Sequence, residues 1–152
     1  VVKKMIVEIA DLQNHYRIKR EKVKRVVKEF LKKEGKDAKL SIVFVDNSEI
    51  KKINQRFLAS HEITDVISFP FGNNPGFVDG EIIVSVETAV EVANSNHSSV
   101  EGEIILYIIH GILHLLGFDD NNSVNAGIMH EKEAEVLSFL GFSVPEIEDG
   151  IP

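Results

Sequence analysis

Two histidines and an aspartate in one short segment are the residues of this chain best suited to hold a metal ion. His110 and His114 lie four residues apart, so both rings project from the same face of a helix. Gly117 then allows the chain to reverse and bring Asp120 toward the same point. This spacing is typical of zinc sites in which a helix supplies two ligands and the following turn a third. Three protein ligands leave a position for water, as in catalytic zinc sites.

The surroundings of the two histidines also favour a metal site. Residues 104–116 are apolar on nearly every side of the predicted helix, which indicates burial. Two buried imidazoles without partners would cost about 1–3 kcal/mol each, and an ion would satisfy both. A histidine pair at this spacing also arises by chance on exposed helices. Asp119 remains an alternative to Asp120 as ligand, or a hydrogen-bond partner of a histidine ring.

Two absences restrict the chemistry. The chain has no cysteine, which excludes disulfides and thiolate ligands and leaves imidazole, carboxylate and carbonyl groups for zinc or another divalent ion. Metalloproteases of the His-Glu-x-x-His type use the residue after the first histidine as general base, and here that residue is Gly111. Peptide hydrolysis by that mechanism is therefore disfavoured. A comparable context is lacking for the other histidines, which are His15, His61, His97 and His130. Of these, His130 lies near the predicted site in sequence.

Hydrophobic periodicity predicts the elements that position these side chains. The predicted strands are residues 5–9, 40–45, 66–69 and 81–84, with a loop at 72–80. Five helices are predicted. The first spans residues 20–34, and the second carries Ile50, Ile53 and Phe57. The third runs from the cap Ser85 to about residue 93, the fourth from the cap Ser98 to residue 116, and the fifth spans residues 123–140. Ser98 and Glu101 have the spacing of a capping box. With no linker or repeat between them, these elements predict one domain over residues 1–152.

Charge is divided unevenly along the chain. The net charge of −7 argues against a general nucleic-acid binder, but residues 1–39 hold 13 basic and 6 acidic residues. Such a segment can attract phosphates locally, although the simpler interpretation of residues 17–33 is a solvated helix face. The N-terminal residues alternate apolar and charged and do not resemble a signal peptide, and no apolar stretch is long enough for a bilayer. We therefore expect a cytoplasmic protein without membrane contact.

The segment HGILHLLGFDD at residues 110–120 resembles the signature of the YbeY family, bacterial single-strand-specific endoribonucleases of ribosomal RNA maturation. The likeness covers about residues 40–141. The other similar motifs follow in the same order: Asn54 and Arg56, TDVISFP at residues 64–70, GEI at residues 80–82, and Met129 with Glu135. This chain departs from the family pattern at two positions, because Asp120 stands where a third histidine is usual and Glu81 where aspartate is usual. A carboxylate is a harder ligand than imidazole, so Asp120 could change the metal preference.

The resemblance implies a fold, a cofactor and a substrate. The fold would be α+β, with a mixed sheet of about four strands flanked by helices and a buried central helix carrying the histidines. One zinc ion would bind His110, His114 and Asp120, with His114 also counted as catalytic, and single-stranded RNA, including ribosomal RNA, would be the substrate. The small ribosomal subunit is a candidate partner, and the oligomeric state stays open.

Further residues receive roles from the same resemblance. Arg56 would be a catalytic and substrate-binding residue that clamps a phosphate. Thr64, Asp65 and Ser68 would line the cleft, although a turn cap and strand packing explain them nearly as well. The basic helix from Arg17 would contact the RNA backbone. Two other functions remain as alternatives. One is a non-catalytic ribosome-associated factor with a structural metal. The other is a metalloprotease-like amide hydrolase, which is the weakest alternative because Gly111 stands where the catalytic glutamate would be.

Overall fold

The computed structural model describes residues 5–58, 64–72 and 74–142, in which strands and helices follow one another along the chain. Their order is β1 (Met5–Asp11), α1 (Arg20–Lys33), β2 (Asp37–Val45), α2 (Asn47–Leu58), β3 (Val66–Pro70), β4 (Phe77–Ser85), α3 (Val86–Asn96), α4 (Val100–Leu115) and α5 (Ser123–Phe139). All four strands join one sheet in the order β1-β2-β4-β3. β1, β2 and β4 are parallel, and β3 pairs antiparallel with β4 at one edge. The predicted mixed sheet of four strands is confirmed.

The two faces of the sheet are covered unequally, because successive side chains of a strand point to opposite faces. The face of Leu40, Ile42 and Ile82 packs against α1, α3, α4 and α5 and forms the larger core. The opposite face, represented by Val45 and Ile83, packs against α2 and forms a smaller cluster. The α+β architecture thus places four helices on one side of the sheet and one helix on the other.

The predicted central helix is confirmed as α4. Its buried residues surround the helix on most sides and are Glu103, Ile104, Ile105, Tyr107, Ile108, Ile109, Gly111, Ile112 and Leu113. The helix ends at Leu115 with Leu116 as its C-cap, and Gly117 then adopts a φ of 102°, a conformation that costs glycine little. The Phe118 amide donates to the Leu113 carbonyl at 3.0 Å. The predicted N-terminal cap was wrong by one residue. Ser99, not Ser98, accepts a hydrogen bond from the Gly102 amide at 3.0 Å, so no capping box forms with Glu101.

Two glycines let α4 lie close against the sheet. A Cβ atom on Gly111 would meet Ile82 Cγ2 at 2.8 Å and Ser68 Oγ at 3.0 Å. A Cβ atom on Gly80 of β4 would meet the Phe69 carbonyl oxygen at 2.6 Å and Leu115 Cδ1 at 3.0 Å. Ser68 also donates its hydroxyl to the Gly111 carbonyl at 3.0 Å, which ties α4 to β3. Helix and sheet therefore touch at position 111, directly after His110, and glycine avoids a steric clash there.

Two other sequence predictions need correction. β4 begins at Phe77, so four of the nine residues of the predicted loop belong to a strand that pairs with β2 along its length. α3 continues to Asn96, after which His97 adopts a left-handed conformation with φ of 52°. Phe57 lies on α2 as predicted and is 61% exposed. Within the described part of the chain, no helix is both long and apolar enough to cross a bilayer.

Candidate metal centre and cleft

α4 and the turn after it bring the three predicted ligands together. The Nε2 atoms of His110 and His114 lie 3.1 Å apart. Asp120 approaches with Oδ2 at 3.7 Å from His110 Nε2 and Oδ1 at 3.9 Å from His114 Nε2. Ligand atoms around a tetrahedral zinc, each about 2.0–2.1 Å from the ion, are roughly 3.3 Å apart. The donor set therefore fits one divalent cation, since all three ligand atoms lie within 4.8 Å of one another.

Glu133 of α5 holds the first histidine in place. Its Oε2 atom contacts His110 Nδ1, and because an ionised carboxylate only accepts hydrogen bonds, Nδ1 is the donor. Nε2 of His110 is then left facing His114 and Asp120. The other oxygen, Oε1, lies 3.3 Å from His130 Nδ1. Glu133 is 6% exposed, so it is a buried carboxylate whose neighbours fix the orientation and basicity of a predicted ligand.

Opposing effects set the charge state of His110. Burial lowers the pKa of His110, whereas the hydrogen bond and charge of Glu133 raise it, as do the charges of Asp65 and Asp120. The net result is a pKa above the ordinary value of 6.5. A cation that binds here must displace a proton held more tightly than on an exposed histidine.

A buried polar pair lies two turns earlier on α4. Glu103 and Tyr107 are 4% and 5% exposed. Burial raises the pKa of Glu103, the hydrogen bond with Tyr107 lowers it, and the charge of Asp65 raises it. Burial likewise raises the pKa of Tyr107, with the charges of Glu103 and Asp65 adding to the effect. The charges that favour a cation at the site are those of Asp65 before β3, Asp120 after α4 and Glu133 on α5.

The alternative ligand predicted from the sequence lies elsewhere. Asp119 Oδ1 accepts a hydrogen bond from the Asn125 side chain at 2.9 Å, at the start of α5. Asp119 therefore does not hold a histidine ring, whereas Glu133 does.

Three other residues named from the sequence lie away from the candidate site. Glu135, which belongs to the family motif of the last helix, is exposed and pairs with Lys33 at 3.3 Å. His15 pairs with Glu87 at 3.6 Å, His97 ends α3, and His61 lies outside the described residues.

The donors open into a cleft of about 600 Å³. Its lining comprises Asn54, Thr64, Asp65, Val66, Ile67, Ser68, His110, His114 and Asp120. The sequence-predicted cleft residues of β3 and the segment before it are therefore brought beside the metal donors. The side chains of His110, His114 and Asp120 are 27%, 32% and 49% exposed, so the donors face an open space.

Arg56 is not among the residues that line this cleft. Its guanidinium carbon lies 5.5 Å from the ring centroid of Phe57 on the exposed surface of α2. Asn54, 6% exposed, is the α2 residue that reaches the cleft. The arginine therefore lies beside the cleft, on the same helix, and not at the metal donors.

Sequence reasoning missed the roles of Glu133 and Asn54, although a signal existed for each. Glu133 follows Met129 by four residues and precedes Val136 by three, so it occupies a position on the apolar face of α5. Asn54 follows Ile50 by four residues on the buried face of α2. A polar residue at an apolar-face position needs a partner when buried, which is the physical reason to examine it.

Comparison with known proteins gives one consistent family. The family model described as Endoribonuclease YbeY matches residues 8–141. Endoribonuclease YbeY of Syntrophus aciditrophicus is 34% identical over 145 residues, which is 90% of this chain and 90% of that protein. The protein of the same name from Clostridioides difficile is 36% identical over 133 residues, 81% of this chain and 86% of that protein.

Some relatives are longer, and one has a solved structure. The match to Endoribonuclease YbeY of Anaeromyxobacter dehalogenans, 37% identical, spans 75% of this chain but only 60% of that protein. The solution structure of TM1509 from Thermotoga maritima shares the fold with a TM-score of 0.68 and 31% identity, over 89% of both chains. The match to the family model covers most of the sequence and includes all three predicted metal ligands. This chain belongs to the YbeY family.

Proposed function

We propose that this protein is a metal-dependent endoribonuclease that cleaves single-stranded RNA in ribosomal RNA maturation, in the cytoplasm and in association with the small ribosomal subunit. The observation that carries the proposal is the convergence of His110, His114 and Asp120 at one end of an open cleft, in a chain of the YbeY family. Zinc is the metal we assign, because two imidazoles and one carboxylate are ligands that zinc accepts.

The openness of the site supports a catalytic ion over a structural one. Structural zinc sites are closed by four protein ligands, whereas catalytic sites keep a position for water or substrate. Among the described residues the cluster has three members, and the cleft lies directly beside them. A bound zinc ion supplies a Lewis acid and lowers the pKa of water enough for hydrolysis near neutral pH.

The protein side chains around the donors are assigned the work of binding and orientation. Glu133 fixes His110, as described above. Asp65, exposed and in the cleft, is a hydrogen-bond acceptor that suits a ribose 2′-hydroxyl, the group that distinguishes RNA from DNA. Thr64 and Ser68 add hydroxyl groups to the same wall. Arg56 on the rim would engage a phosphate beside the reacting one.

The test is His114→Ala in the purified 152-residue chain. Loss of one of two imidazole donors should abolish stoichiometric zinc binding and reduce cleavage of single-stranded RNA by at least about 10³-fold, a loss in the range that single catalytic groups cause. Elemental analysis measures the metal, and cleavage is followed on a labelled single-stranded oligonucleotide with added zinc.

The matched control is His15→Ala, which removes an imidazole that pairs with Glu87 outside the cleft. It should keep both the metal and the cleavage rate. Full cleavage by the metal-free His114→Ala variant would refute the proposal. A metal that raises the melting temperature without any RNA cleavage by the wild-type chain would instead favour the non-catalytic factor.

A further inference from the structure

Most aromatic rings of this protein are covered, but three phenylalanines are largely exposed. Phe57, Phe71 and Phe139 are 61%, 62% and 53% exposed. The other exposed large apolar residues in the described ranges are aliphatic: Ile6, Leu12, Val124 and Ile128. Exposing a phenylalanine keeps a large apolar surface in water, so two neighbouring examples indicate a binding surface.

Phe57 and Phe71 lie on the same side of the molecule, joined by Phe69. The rings of Phe57 and Phe69 meet edge to face, with centroids 5.7 Å apart. Phe71 follows β3 and continues its ladder, because its amide donates to the Asp79 carbonyl at 2.9 Å. Since side chains two residues apart share one face of a strand, Phe69 and Phe71 point to the side that α2 covers. We call Arg56, Phe57, Phe69 and Phe71 the aromatic surface.

Positive charge lies on the helix that carries Phe57. Beyond residue 39 the chain has only four basic residues, and Lys51, Lys52 and Arg56 are all on α2. Each of the three is exposed, and among the described residues no carboxylate forms an ion pair with any of them. The Arg56 guanidinium lies over the Phe57 ring at 5.5 Å. A locally cationic patch with aromatic rings is therefore set on a protein whose net charge is −7.

The aromatic surface is continuous with the cleft. α2 contributes Asn54 to the cleft and Phe57 one turn later. β3 contributes Ile67 and Ser68 to the cleft, and Phe71 follows Ser68 by three residues, about 10 Å along an extended strand. A chain molecule bound at the metal donors can thus pass over the edge strand to the rings.

From these observations we propose that the aromatic surface binds unpaired bases of the RNA strand that flank the cleavage position, by stacking them on Phe57 and Phe71. The inference rests on the proposed endoribonuclease function and attributes the preference of that activity for single strands to the aromatic surface. Cationic surfaces bearing aromatic rings bind single-stranded nucleic acid without reading its sequence, because every base has a face that can stack. Paired bases are stacked on one another and cannot reach the rings. Phe69 supports Phe57 edge-on, and Lys51, Lys52 and Arg56 contact the adjoining phosphates.

The experiment compares Phe57→Leu and Phe71→Leu, singly and together, with the matched control Phe139→Leu. Phe139 is also exposed and also lies beneath a cation, with Lys33 Nζ at 5.2 Å from its ring, but it belongs to α5. Leucine keeps apolar volume and removes the ring. Affinity is measured on a single-stranded RNA oligonucleotide with metal chelated, and kcat/KM is measured on zinc-loaded protein with that oligonucleotide and with a dinucleotide too short to reach the rings.

Each replacement in the aromatic surface should weaken oligonucleotide binding by about 5-fold, the lower range for one base stacked on one ring. The dinucleotide should be cleaved at the wild-type rate, and duplex RNA should bind all variants equally. A 2-aminopurine base beside the cleavage position should lose fluorescence on the wild-type protein and on Phe139→Leu, but not on the double variant. That optical signal reports stacking, which a merely structural role of the rings would not produce.

Three results would overturn the inference. Oligonucleotide affinity of the double variant within twofold of wild type would reject the surface while leaving the endoribonuclease proposal in place, provided that the dinucleotide is still cleaved. A change in self-association with unchanged RNA affinity would assign the rings to a second copy of the chain. A wild-type protein that neither binds nor cleaves RNA would remove the inference together with the proposed function.

Discussion

The two helices that reach the cleft, α4 and α2, differ in almost every physical property. α4 is buried in the larger core and supplies two of the proposed metal ligands, His110 and His114. α2 covers the opposite face of the sheet, supplies buried Asn54, and turns a basic, aromatic side to solvent. One helix therefore presents its functional groups because packing fixes them, and the other because packing leaves them uncovered.

This contrast separates reaction chemistry from substrate affinity. Changes around α4 should act on metal binding and on the free energy of unfolding, because Glu133 holds His110 and Gly111 lies in close contact with the sheet. Changes on the outer side of α2 should act on RNA affinity and leave the metal and the fold intact, since exposed side chains contribute little to stability.

The largest effect in this comparison is expected at Glu133, which supports α4 from α5. Glu133→Gln keeps an acceptor for His110 Nδ1 but removes the negative charge. Loss of such a partner of a metal ligand should weaken zinc binding about 10- to 100-fold. Competition with a coloured chelator measures the affinity. Glu135→Gln, an exposed carboxylate two residues away, is the control and should bind zinc as the wild type does.

The same variant tests the pKa of His110 in the metal-free protein. Because the folded pKa of His110 is raised above 6.5, the protonated pair with Glu133 contributes stability that is fully present below pH about 6.5 and lost as pH rises through the folded pKa. The stability difference between wild type and Glu133→Gln should therefore be greatest in mild acid. A difference that grows toward alkaline pH would contradict this assignment.

A smaller effect, on stability alone, is expected where α4 touches the sheet. Gly111→Ala would place a methyl group 2.8 Å from Ile82 Cγ2 and 3.0 Å from Ser68 Oγ. Overpacking costs about 1–3 kcal/mol, and the better helix propensity of alanine returns about 0.5–1 kcal/mol. We expect a net loss of about 1–2 kcal/mol in the free energy of unfolding, measured by urea denaturation.

Gly127 of α5 provides the opposite case for that measurement. A Cβ atom at Gly127 would meet nothing within 4 Å, so Gly127→Ala should gain helix propensity without a clash. It should raise the free energy of unfolding by about 0.5–1 kcal/mol. Equal stabilisation by both alanines would mean that α4 does not need its close approach to β3.

The predictable parts of this molecule are those determined by local spacing. The five buried residues of α1, namely Val23, Val26, Val27, Phe30 and Leu31, follow directly from helical periodicity. The histidine pair and the glycine that ends α4 are equally local. The cap of α4 was misassigned because Ser98 and Ser99 are adjacent, and only backbone geometry distinguishes which serine accepts the hydrogen bond.

The parts that could not be predicted depend on contacts between distant segments. Glu133 meets His110 across 23 residues, and no local pattern names that partner. α1 holds seven of the 17 basic residues, and two of them pair with acids far along the chain, Lys22 with Glu101 at 2.5 Å and Lys33 with Glu135 at 3.3 Å. α1 also contacts β1, at the opposite edge of the sheet from β3 and the cleft. From this position we expect α2, and not α1, to be the basic helix that contacts the RNA.

The smallest expected effect tests that last conclusion by comparing one cation from each basic helix. Arg56→Ala should leave zinc content unchanged and weaken cleavage of single-stranded RNA, with the slope of log affinity against log salt concentration falling by about 0.7, the value for one phosphate contact on a single strand. Lys28→Gln removes an exposed charge from α1 and should change that slope by much less, because α1 lies at the far edge of the sheet. A larger slope change for Lys28→Gln than for Arg56→Ala would restore α1 as the RNA-facing helix, and equal changes would mean that both helices contact the strand.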